Sequence, residues 1–139
     1  MPLVYLDASA LVKTIREKEE ESAVALKLYL EGSELVSSEL VLTEVPRALR
    51  RTAAEHARFQ LEPALRQAAE ALDLLSLRPL DDALLAGAGM LAEPTLRSLD
   101  AIHVVTALHV YPIDAFVTYD RRQAAVARLA GLNPVAPGG

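Results

Sequence analysis

VYLDAS, residues 4–9, sets three strand-forming residues against a carboxylate and then two small residues. Leu3 to Leu6 is apolar without alternation, the pattern of a strand covered on both faces in a parallel sheet. Asp7 closes that strand, and a helix can begin at once, running from Ser9 to about Arg16. A chain that is 52% hydrophobic thus ends a buried strand on a charge. The same arrangement returns near the other end. Ala115 to Thr118 (AFVT) reads as a strand, and Asp120 just beyond it can cap a helix ending at Gly131.

Between these two points the pattern alternates. A helix is expected from about Glu20 to Glu31, with Ala23, Leu26 and Leu30 on its apolar stripe and Gly32 as its stop. Glu34 to Ser37 is a short strand. Ser38 can cap a helix from Glu39 into the fifties, bent where Pro46 removes the donor that the Leu42 carbonyl needs. Residues 61–75 form a helix with Pro63 near its first turn, followed by a short strand over Leu75 to Arg78. Asp81 and Asp82 suit the start of another helix, weakened by Gly87 and Gly89. SLDAIHVVTALHV, residues 98–110, is apolar nearly all round and is therefore expected at the centre. NPVA offers a last edge strand, and residues 137–139 are expected to fray.

Strands alternating with helices predict a three-layer α/β/α sandwich with a central, largely parallel sheet, in one domain over residues 1–139. Ligands of such sheets collect at the carboxyl ends of the strands. Asp7 and Asp120 both lie just past strand ends, so the predicted fold puts them on one rim.

Composition narrows the chemistry. There is no cysteine, which excludes disulfides and thiolate metal sites, and His56, His103 and His109 are too scattered for a typical zinc cluster. Any metal would sit on oxygen. Fourteen basic residues against 19 acidic ones give a formal charge of −5, which by itself argues against a polyanionic partner. A carboxylate metal site adds to that negative count, however, and is neutralised by its own cations. With no Trp and 4% aromatics, platforms for stacking single-stranded bases are few. The first residues lack the basic region and long apolar run of a signal peptide, and no stretch is long enough to cross a bilayer, so a cytoplasmic location is expected.

Four acids stand where the pattern would favour apolar residues: Asp7, Glu44 in SELVLTEVPRAL, Asp100 in SLDAIHVV, and Asp120. Each has a local explanation. Asp7 and Asp120 suit N-caps, Asp100 opposes a helix dipole, and Glu44 can pair with Arg47 at i+3. Brought together, they would repel and raise one another's pKa unless a cation held them charged. A hard divalent ion takes oxygen ligands, and Mg²⁺ typically uses one or two carboxylates directly while keeping several waters. Such a site suits phosphodiester hydrolysis, with water as the nucleophile.

VYLDASALVK, SSELVLTEVPRALRR, LRSLDAIHVVTAL and FVTYDRR, in that order across nearly the whole chain, resemble the four acidic motifs of the PIN-domain ribonucleases, and among these the VapC toxins of toxin–antitoxin pairs. The resemblance implies a metal-dependent endoribonuclease with RNA as substrate, a small antitoxin as partner, and a homodimer. It implies that Asp7, Glu44, Asp100 and Asp120 form the acidic pocket, that Asp7 and Asp100 ligate Mg²⁺, with Mn²⁺ as substitute, and that the hydroxyls of Ser9 and Thr118 support the ligands or a water. Ser9 and Thr118 equally suit helix capping and local backbone bonds. Pro46 departs from the more open helix usual after the family's glutamate.

His103, at i+3 from Asp100, reads as a buried histidine with satisfied ring nitrogens rather than a base, since metal-assisted hydrolysis does not require one. Arg47, Arg50, Arg51, Arg97, Arg121 and Arg122 can hold RNA phosphates beside the acids; Arg51 with Glu55 is also an ordinary i+4 surface pair. The apolar stripes at 23–30 and 61–75 suit a dimer contact or an antitoxin groove as well as plain core packing. Three other functions fit the chain less well. A housekeeping nuclease would share the site without the antitoxin. A silent interaction module would have lost an acid, and all four are present. Aspartyl phosphoryl transfer from Asp7 asks for a second aspartate two residues on, where this chain has DASAL.

Overall fold

The computed structural model describes residues 1–17 and 20–139. Its elements in chain order are β1 (Leu3–Leu6), α1 (Ala8–Arg16), α2 (Glu21–Leu30), β2 (Glu34–Ser38), α3 (Val41–Glu55), α4 (Leu61–Asp73), β3 (Ser76–Arg78), α5 (Asp82–Gly89), α6 (Ser98–Val110), β4 (Ala115–Val117), α7 (Arg121–Leu129) and β5 (Pro134–Val135). Among the described residues the strands form one sheet in the order β3-β2-β1-β4-β5, every neighbouring pair parallel. Pro134, which cannot donate to a ladder, sits on the edge strand β5, where proline is tolerated.

The absence of alternation in β1 has its expected cause, because both faces of the sheet are covered. Val4, Leu6, Ala115 and Val117 face one apolar cluster with Leu11 and Ile15 of α1, Val45 and Leu49 of α3, and Ala64 and Ala68 of α4. Tyr5, Val36 and Phe116 face the other, against Val104 and Ala107 of α6 and Val126 and Ala127 of α7. Side chains alternate across each strand, so consecutive residues feed opposite layers. Tyr5 and Phe116 stack at 5.2 Å between centroids, joining β1 to β4. Leu84 and Ala88 of α5 add a smaller cluster against Ala101 and Val105 of α6.

Two helices end on glycines with positive φ, Gly32 after α2 and Gly131 after α7, at 74° and 93°. These are the left-handed closures that favour glycine over any residue with a Cβ. Helix α3 begins at Val41 rather than Glu39. Ser38 remains in β2, paired with Arg78, and its hydroxyl accepts from the Leu40 amide at 3.1 Å across the intervening turn. The helix then continues through Pro46 to Glu55.

The stripes divide between core and surface. Ala23 and Leu26 of α2 are fully buried, whereas Val24, Leu28 and Tyr29 are exposed; Ala64 and Ala68 of α4 are buried, and Leu74 beyond it is exposed. Residues 137–139 lie against Tyr119 and α2. The Tyr119 hydroxyl donates to the Pro137 carbonyl at 2.8 Å, and a Cβ on Gly138 would come within 2.9 Å of the Ser22 backbone. Among the described residues no helix is long and apolar enough to cross a membrane.

Candidate active site

A parallel sheet points all its strand ends the same way, and that geometry gathers the acids. Asp7 follows β1 and its amide donates to the Val117 carbonyl at the end of β4, so the two strand ends meet. Asp120 follows β4. Glu44 lies in the first turn of α3, the helix that leaves the end of β2. Helix α6 precedes β4 and runs against the strands, so its first turn, with Asp100, returns to the same rim. Gln123, buried at the start of α7, donates from Nε2 to the Asp100 carbonyl at 3.3 Å and ties the first turns of α6 and α7 together.

Asp7 is buried at 2% exposure and its carboxylate is crowded with donors. Oδ1 accepts from the Ser9 hydroxyl at 2.6 Å and the Ala10 amide at 3.1 Å, while Oδ2 accepts from the Thr118 hydroxyl at 2.5 Å. Capping and site placement therefore coincide: Asp7 is the N-cap of α1 and also stands on the rim. The Ser9 and Thr118 hydroxyls in turn accept from the amides of Tyr119 and Asp120, both at 3.1 Å. These hydroxyls are donors to Asp7 and acceptors for the loop after β4, so they lock the carboxylate to both strand ends. Asp120 likewise caps its helix, accepting from the Arg122 and Gln123 amides.

Electrostatics register the convergence. Burial pushes the Asp100 carboxyl above its ordinary pKa, and the charges of Asp120, Asp7 and Glu44 add to that rise while His103 opposes it. Burial is also the main cause that raises Asp7, against the lowering by His103 and its own donors. Asp100 thus lies in the field of carboxylates from three distant segments, the situation a cation relieves. The donor set is all oxygen and fits a hard divalent ion. Among the described residues no three carboxylate or imidazole groups stand close enough for a preassembled ligand set; Mg²⁺ asks for only one or two direct carboxylates.

Glu44 does not pair with Arg47. Its Oε1 accepts instead from Nε2 of His103 at 2.6 Å, and the other ring nitrogen, Nδ1, faces the Tyr5 hydroxyl at 2.7 Å. His103 is the buried, satisfied histidine the sequence suggests, but one of its partners is a rim acid. The Arg51–Glu55 surface pair is not formed among the described residues.

Basic side chains flank the acids on two sides. A cleft of about 580 Å³ runs from Ser9 and Glu44 between Lys13, Arg16, Arg47 and Arg51. A second, of about 470 Å³, brings Arg97, Arg121 and Arg122 beside Asp100 and Asp120. Lys13 and Tyr119 were not singled out by the sequence; Lys13 Nζ lies 4.6 Å from the centre of the Tyr119 ring, on the wall of the first cleft. Tyr119 stands between Thr118 and Asp120, the one signal that could have marked it.

The sequence model of the PIN domain matches residues 4–129. A curated relative, ribonuclease VapC46 of Mycobacterium tuberculosis, is 40% identical over 140 residues, covering 99% of both chains. Among solved structures, the sarcin-ricin loop cleaving toxin VapC20 of Mycobacterium tuberculosis superposes with a TM-score of 0.70 at 18% identity, over 96% of this chain and 99% of that one. VapBC2 of Rickettsia felis, bound to a DNA fragment from its promoter, gives 0.68 at 16% identity over 96% and 97%. A match that runs almost end to end, on a parallel sheet whose carboxyl rim collects acids from each of the quoted motifs, places the chain in the PIN domain family.

Proposed function

We propose that the chain is an endoribonuclease that hydrolyses RNA phosphodiester bonds with a divalent metal, Mg²⁺ or in its place Mn²⁺, and acts in the cytoplasm as the toxin of a toxin–antitoxin pair. The convergence of Asp7, Glu44 and Asp120 on Asp100, whose carboxyl all three raise, is the observation that carries this, together with 40% identity to a curated ribonuclease over nearly the full length. Held by Asp7 and Asp100, the ion would activate water and offset charge on the attacked phosphate.

The chain's own residues do the rest. Ser9 and Thr118 fix both oxygens of Asp7, so that its orientation is set before substrate arrives. Glu44 and Asp120 complete the acidic pocket. The arginines of the two clefts admit a polyanion to a negatively charged rim by neutralising its phosphates on either side. They supply attraction without chemistry, which sets their expected signature. Arg97→Ala and Arg121→Ala should each raise KM several-fold with kcat little changed, and each should flatten the salt dependence by about 0.7 in log–log slope, the share of one single-strand phosphate contact. Cleavage rates over a series of salt concentrations give both quantities, and unchanged KM and slope would put the RNA elsewhere.

The deciding experiment for the function compares RNA ends in cells expressing the wild type with those in cells expressing Asp7→Asn. New ends confined to the wild type, growth arrest on expression, and rescue by the small gene beside it are the expected results. Cleavage with no response to that neighbour would make the chain a housekeeping nuclease, and no new ends at all would remove the nuclease. In vitro, a chelator should abolish cleavage and added Mg²⁺ restore it.

A further inference from the structure

We propose that His103 and Tyr5 are positioning residues that hold the Glu44 carboxylate in its working orientation, one oxygen fixed by the imidazole and the other left toward the cleft. This rests on Glu44 taking part in the proposed cleavage.

Three residues from three elements make a single buried line. Tyr5 comes from β1, His103 from α6 and Glu44 from α3, at sequence separations of 98 and 59 residues. The His103 side chain is 1% exposed, that of Glu44 17%. A carboxylate can only accept, so Nε2 carries the proton that bonds Oε1 of Glu44. The other ring nitrogen, Nδ1, is held by the Tyr5 hydroxyl at 2.7 Å. Tyr5 thereby fixes the ring and His103 delivers the donor. The ring is held in plane by packing as well, edge-on to Tyr5 at 5.8 Å.

Stability alone is a poor reason for this arrangement. Apart from His103 and Thr106, the buried residues of helix α6 are apolar: Ala101, Val104, Val105 and Ala107. A buried polar line gains little over well-packed apolar residues of the same shape. What the line does accomplish is mechanical. Val45 and Leu49 of α3 pack in the cluster on one face of the sheet, and Val104 and Ala107 of α6 pack on the other. The His103–Glu44 bond joins these two layers at the rim, and so sets where Glu44 stands relative to Asp100, three residues from His103.

The test is a double-mutant cycle on cleavage, read beside a measurement that needs no catalysis. His103→Leu should lower kcat 10- to 100-fold, the usual cost of losing such a support, with KM unchanged. His103→Gln should stay within a few-fold of wild type, since its amide can reproduce the Nε2 donor, and it guards against a leucine variant that fails to fold. In a Glu44→Gln background, His103→Leu should cause no further loss. ¹⁵N spectra of the wild-type protein should show His103 protonated at Nε2, with that proton shifted in Glu44→Gln. Additive losses in the cycle, equal loss in the leucine and glutamine variants, or a ring protonated at Nδ1 only would each overturn the proposal. Full cleavage by Glu44→Gln would instead overturn the role of Glu44, and the proposal with it, while leaving the aspartates as they stand.

Discussion

Asp100→Asn is expected to reduce RNA cleavage about 10³-fold, the loss typical of removing one group that stabilises charge in the transition state, while making the metal-free protein more stable than the wild type. The two effects have one origin. Burial, then the charges of Asp120 and Asp7 and more weakly Glu44, hold the Asp100 proton more tightly in the fold than in the unfolded chain. For an acid raised in this way, the favourable contribution is complete below the ordinary value of 3.8 and is lost as pH rises through the folded value. At neutral pH the ionised carboxylate is therefore a cost, and the amide removes it.

Asp100 is only half-buried, so solvent screens the repulsion and the gain stays small. A rise of about 2–4 °C in Tm corresponds to ~1 kcal/mol in a domain of this size. Melting curves with chelator from acid to neutral pH would read it. The difference between variant and wild type should be largest at neutral pH and should close below 3.8, where both side chains are uncharged. Added Mg²⁺ should then raise the Tm of the wild type more than that of the variant, as binding to the folded state alone requires. Undiminished cleavage would take Asp100 out of the reaction. A lower Tm at neutral pH would mean that a partner stabilises its charge and that the acids are not crowded.

The parts of the fold legible in the sequence are those set by strong local patterns. Helix α6 runs from Ser98 to Val110, as its unbroken apolar surface suggests, and β1 and β4 fall where the apolar runs are. Helix α3 starts at Val41 and not at Glu39 because the choice between capping a helix and extending a strand depends on Arg78, 40 positions away, which pairs with Ser38. Long-range partners also decide the details of the site. Asp7 stands out as a charge after a buried strand, but that its second oxygen meets Thr118 follows only from β1 and β4 being neighbours. Glu44 has a ready local partner in Arg47. A salt bridge at the surface is worth little, and the buried imidazole of His103 offers a dry, directed donor that no helical spacing reveals. The contacts of the tail leave no local signal, because Tyr119 donates to the Pro137 carbonyl and Gly138 lies where a Cβ would crowd Ser22.

Asp7→Asn and Asp7→Ala are expected to lose cleavage alike, about 10³-fold, and to part company in stability. Asparagine keeps an acceptor for the Ser9 hydroxyl and the Ala10 amide, so the cap of α1 survives. Its Nδ2 would face the Thr118 hydroxyl, which already accepts from Asp120 and would have to turn its proton elsewhere. That loss is offset by removing a buried charge that burial itself disfavours. The metal-free asparagine variant should melt close to the wild type at neutral pH. Alanine keeps nothing: the cap goes, at about 1 kcal/mol, and the Ser9 and Thr118 hydroxyls lose the acceptor that orders them, at about 1–3 kcal/mol for a donor left unsatisfied in the interior. A deficit of about 2–4 kcal/mol against asparagine, or a Tm lower by about 10 °C, is the expected result in paired melting curves. Equal Tm values would show that the hydroxyls find other partners and that Asp7 is no joint between β1 and β4. Cleavage retained by the asparagine variant would show that the charge of Asp7, as distinct from its oxygens, has no part in the reaction.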